Sequence, residues 1–80
     1  MTKDQKKIIE EILNLIEADA LEEAVEIIRK KAERAFHKYF KARQKRKIME
    51  AVRYMEEYEM LSKKEYELLK KINKLRGYST

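Results

Sequence analysis

Apolar residues recur along this chain at spacings of one, three and four, the mark of helices that bury one side. Ile8, Ile9, Ile12, Leu13 and Ile16 form a first stripe. Leu21, Ala24, Val25, Ile28, Ala32, Ala35, Phe36, Tyr39 and Phe40 form a second, and its small residues invite close backbone approach. Ile48, Met49, Val52 and Met55 then fall roughly opposite the second stripe when residues are projected at 100° each, with Arg43 and Arg46 where core residues are due. The change of side predicts a break or kink between Lys41 and Lys47. No Gly, Pro or Asn marks it.

Local signals divide the helices further. Thr2 with Gln5 is a capping-box pattern, and Asp4 suits the positive end of the helix dipole. Asp19 with Glu22 and Ser62 with Glu65 repeat that pattern, predicting new helix starts at Ala20 and Lys63. The first two helices would then form an antiparallel hairpin. The last would bury Tyr66, Leu69 and Ile72, with Leu68 and Leu75 beside them. Gly77 sits where a left-handed C-cap residue belongs, and Tyr78–Thr80 read as a loose tail. The expectation is an all-α bundle of three or four helices at about 3–17, 20–41, 46–61 and 63–76, in one domain spanning 1–80. In the alternative, 20–61 is one long kinked helix.

Composition narrows the classes. With 80 residues there is little core to spare, so a homodimer is expected. One Gly and no Pro leave tight turns and sheets poorly served. The absence of Cys excludes disulfides, thiolate metal sites and a cysteine nucleophile. No apolar run approaches the roughly 20 residues of a membrane span, so the expectation is a cytoplasmic protein without membrane contact.

Charge changes the picture most. Residues 29–53 carry a formal +9, against −5 for residues 1–28 and +1 for residues 54–80. Lys30, Lys31, Arg34, His37, Lys38, Lys41 and Lys45 recur three and four apart as one helix face, each able to meet a phosphate. A nearly pure positive face repels itself and asks for a partner; a merely solvated face normally mixes signs, as residues 1–28 do. Arg43, Gln44, Lys45, Arg46 and Lys47 make a denser spot in which Arg43 and Arg46 could read guanine and Gln44 adenine. The predicted nucleic-acid-binding set is therefore Lys30, Lys31, Arg34, Lys38, Lys41, Arg43, Gln44, Lys45, Arg46 and Lys47. The expected partner is nucleic acid, DNA before RNA, in a regulatory or architectural role.

Two docking geometries follow. Ile48–Glu59, a turn at Met60–Ser62 and Lys63–Arg76 would form a helix-turn-helix presenting Lys63, Lys64, Lys70, Lys71 and Lys74. Alternatively, Tyr54, Leu61, Leu68 and Leu75 are spaced by seven behind the basic run, an arrangement over half the chain that resembles a basic-region leucine zipper. Glu65 departs from that pattern on the alternate seam position. Other readings are a protein–protein adaptor or inhibitor that offers the basic helix to an acidic partner, such as a small phage or plasmid protein, and a designed bundle without biological function.

Chemistry is sparse. His37 is the only histidine and has no nearby carboxylate to orient it. Phe36, Tyr39 and Phe40 are expected in the core, and Glu56, Glu57 and Glu59 on a solvated face. No Gly-rich phosphate loop or nucleophile–base set is present, so neither an enzyme, a metal nor a cofactor is expected.

Overall fold

The computed structural model describes residues 2–77 and contains two helices. Helix α1 runs Lys3–Gln44 and helix α2 runs Ile48–Leu75, joined by a turn at Lys45–Lys47. They fold back as an antiparallel hairpin with extents of 65 × 19 × 13 Å. All-α holds, but the three- or four-helix bundle does not.

The first start signal works as read. Thr2 accepts from the Gln5 N–H and the Gln5 side chain accepts from the Thr2 N–H, both at 3.2 Å. The other two boxes start nothing. Asp19 and Ala20 lie inside α1, and Ser62 and Lys63 lie inside α2, so the starts predicted at Ala20 and Lys63 are corrected. Both boxes sit in good helix formers, and the helical backbone runs through them. Their carboxylates reach across the hairpin instead. Asp19 and Glu22 receive Arg76 at 3.3 and 2.6 Å, and Glu65 receives Arg29. The hydrogen bond from Arg76 holds the Glu22 carboxyl below its ordinary range. That contribution to stability is present above the unfolded carboxyl pKa and is lost as pH falls through the folded value.

The predicted break between Lys41 and Lys47 is present, which removes the alternative of one helix over 20–61. It is a Schellman turn: the Lys47 N–H donates to the Ala42 carbonyl at 2.9 Å and the Arg46 N–H to that of Arg43 at 3.1 Å. Arg46 holds the left-handed position, φ 58°, which normally belongs to glycine. Arg46→Gly is expected to raise the unfolding free energy by about 0.5–1 kcal/mol by removing the Cβ penalty. Urea denaturation checks this; a loss of stability would show that the arginine side chain compensates its own strain. Gly77, φ 80°, does stand at the end of α2, whereas the tail expected at Tyr78–Thr80 lies outside the described residues.

The seam between the helices follows a heptad. On α1 it runs Ala18, Leu21, Val25, Ile28, Ala32, Ala35, Tyr39 and Ala42; on α2 it runs Ala51, Tyr54, Tyr58, Leu61, Glu65, Leu68, Ile72 and Leu75. Ala18, Val25 and Ile72 form one buried cluster, with Ala32, Ala35 and Leu61 forming another. Alanines on α1 facing larger residues on α2 let the axes approach closely. The sevenfold Tyr54–Leu75 spacing therefore closes within the chain rather than as an intermolecular zipper, and Arg29 satisfies Glu65 at its seam position. With 60–62 helical, the predicted helix-turn-helix is absent.

Burial corrects several expected core residues. Phe36 and Phe40 are 46% and 44% exposed on a flank, where Phe36 meets the rings of Tyr39 and Tyr58 at 6.0 and 5.4 Å. Tyr66 is exposed, as are Ile48 and Met49. Among the described residues, the first stripe has no partner. α1 is 42 residues and α2 is 28, so residues 3–17 project about 20 Å beyond the end of α2. Among the described residues, no helix is long and apolar enough to cross a membrane.

Candidate nucleic-acid interface

The basic residues occupy the turn end of the hairpin because the turn itself falls within the charged run. Lys30, Lys31, Arg34, Lys38 and Lys41 belong to α1, Arg43 and Gln44 to its last turn, and Lys45, Arg46 and Lys47 to the connection. All ten are exposed. Lys41 and Arg43 also complement the negative end of the α1 dipole.

They do not form a single face. Projected at 100° per residue, Lys30, Lys31, Arg34, Lys38, Lys41 and Lys45 fill a sector of about 100° on one flank of α1, centred roughly 110° from the seam with α2. His37 lies at the edge of that sector and is exposed. Arg43 points to the opposite flank, where its guanidinium lies 5.8 Å from the Phe40 ring. The Lys38 ammonium lies 5.8 Å from the Tyr54 ring, which tilts it toward α2. The face read from residue spacing and the denser spot at Arg43–Lys47 thus lie on different sides of the turn end.

This charge is not neutralised within the fold. Among the described residues, ion pairs engage Arg29, Lys71 and Arg76, and none involves the ten candidates. Exposed lysines on one helix face repel one another when unpaired. The acidic N-terminal half of α1 does not relieve them, because the straight helix carries it away from the turn. Only folding back would have brought it close.

Two clefts flank the turn. One of about 430 Å³ is lined by Arg43, Arg46, Ile48, Val52, Met55 and Glu59. The other, about 180 Å³, is lined by Lys38, Lys41, Lys45, Lys47, Glu50 and Tyr54. Sequence reasoning misses the first, although the apolar residues at 48, 52 and 55 are its signal. The N-cap of α2, Lys47, makes no side-chain cap hydrogen bond, so the first N–H groups of the helix open beside these cations. Among the described residues, no cluster of three or more His, Cys, Asp or Glu is placed to hold a metal ion.

No protein-family model matches the chain, and no curated protein or solved structure is significantly similar to it.

Proposed function

We propose that this chain binds nucleic acid, duplex DNA before RNA, through the basic flank of α1 and the turn, as a small regulatory or architectural protein. The observation that carries the reading is the unpaired cationic sector of Lys30, Lys31, Arg34, Lys38, Lys41 and Lys45. A helix with side chains is about 10–12 Å across, which matches a major groove of about 12 Å. Lysines supply a sequence-independent track along phosphates, while Arg43, Gln44 and Arg46 are the side chains at the turn able to address base edges. Arg46 adds to this reading, since an arginine stands where glycine would be less strained.

Fluorescence anisotropy of a labelled duplex, titrated at several salt concentrations, tests the reading. Binding with a log–log salt slope of about −0.9 per neutralised phosphate is expected, which for five or six phosphates is about −5. A flat salt dependence, or no binding at low salt, would reject it. An unrelated competitor duplex separates sequence reading from phosphate tracking.

The 430 Å³ cleft favours a second reading, an acidic protein that anchors an apolar side chain between Val52 and Met55 with its carboxylates on Arg43 and Arg46. Val52→Glu would remove such a partner and leave DNA affinity nearly unchanged.

A further inference from the structure

The segment that the hairpin leaves uncovered is residues 3–17 of α1, and it is built for an occupant. Six large apolar side chains, Ile8, Ile9, Ile12, Leu13, Leu15 and Ile16, are each 43–59% exposed there. The seam heptad, continued back from Ala18, reads Asn14, Glu11, Lys7 and Asp4. The side of this arm that would meet an extended α2 is therefore polar. Its apolar stripe points about 150° away from that direction. The arm is thus not an unfinished end of the hairpin, but a second interaction surface facing the other way.

We propose that residues 3–17 form a self-association arm, pairing antiparallel with the same segment of a second copy about a twofold axis near Ile12. Charge selects both the partner and the direction. The sector that bears the arm's apolar stripe continues along α1 into Lys30, Arg34, Lys41 and Lys45. Parallel pairing would set these cations against their own counterparts. Antiparallel pairing about Ile12 places Ile8 opposite Ile16 and Ile9 opposite Leu15, and it brings Lys6 beside Glu17 on the same flank. Glu17 is available there, since its own chain offers it only an exposed Lys71 at 3.8 Å. The overlap ends near Glu23, which meets the positive N-terminal end of the facing helix, before the basic sector begins.

Burying these stripes would cover about 1,000 Å² in total, the lower bound for a specific pair, so a weak dimer that depends on concentration is expected. The basic turns would stand at opposite ends of the assembly.

Sedimentation velocity on the full chain across a concentration series is the test. The wild type is expected to move from monomer to dimer, and Ile9→Glu with Ile12→Glu to remain monomeric while the hairpin retains its helicity. Lys6→Glu and Glu17→Lys should each weaken the dimer by up to about tenfold, and the double exchange should restore it. A wild type monomeric up to about 1 mM would overturn the proposal. A dimer indifferent to Glu at Ile9 and Ile12 would assign association to another surface. Failure of the double exchange to rescue would overturn the antiparallel direction. A wild-type monomer that pellets with anionic lipid vesicles, and no longer does so on Ile12→Glu, would make the stripe a membrane contact instead. Duplex affinity is measured in parallel under conditions where the arm variants are monomeric, so the two readings fail separately.

Discussion

Glutamate at Lys38, Lys41 and Lys45 together is expected to weaken duplex binding by about a thousandfold at low salt and to flatten its salt dependence. The three residues lie on the basic flank and the C-cap of α1, exposed and without ion pairs among the described residues. Each reversal frees a phosphate from its cation and adds a repulsion. The log–log salt slope should therefore become shallower by about 0.9 for every phosphate no longer neutralised. The fold should survive with a modest cost. Lys41 leaves the negative end of the α1 dipole, worth about 0.3–1 kcal/mol, and Lys38 leaves the face of Tyr54, worth about 0.5–1 kcal/mol at an exposed site. Circular dichroism on the same sample checks that the helices remain. The control is the same reversal at Lys63, Lys64 and Lys70, which lie on α2 outside the basic sector. An equal weakening there would mean that only net charge matters and that the α1 sector has no special role.

Ile72→Ala is expected to lower the unfolding free energy by about 2–5 kcal/mol, because it leaves a cavity where α2 meets Ala18 and Val25. Ile72 is 2% exposed and packs against Ala18 and Val25 with Leu21, Leu68 and Leu75 around it. A chain of 80 residues has a total stability of about 4–12 kcal/mol, so this one change removes a large share of it. Urea denaturation monitored by helicity measures the effect. Phe36→Ala, which the apolar spacing alone would make as severe, should cost less because the ring is half-exposed and rests on Tyr39 and Tyr58. A mild Ile72 variant with a severe Phe36 variant would place the centre of the core at the turn end rather than at the alanine seam.

Much of this protein is legible in its residues. Apolar spacings of three and four over an almost Gly- and Pro-free chain require helices. Thr2 and Gln5 set the start of α1, and Gly77 the end of α2, because their side chains or missing Cβ satisfy local backbone groups without tertiary help. The shift of apolar phase near Arg43 locates the break, and the count of charges locates the basic sector.

Tertiary structure decided the rest. Capping boxes at Asp19 and Ser62 are local signals worth about 1 kcal/mol, and an unbroken helix that pairs the same carboxylates with Arg76 and Arg29 outweighs them. The turn falls at Lys45–Lys47 although no residue there favours the left-handed conformation that Arg46 adopts. Closing the alanine seam between α1 and α2 supplies the energy for that strain. Which stripe faces which helix was likewise outside the reach of periodicity, since a repeat of 3.6 residues fixes an angle around one axis and says nothing about the neighbour. The Tyr54–Leu75 stripe found its partner in α1, whereas the Ile8–Ile16 stripe was left facing out because α2 ends too soon to reach it.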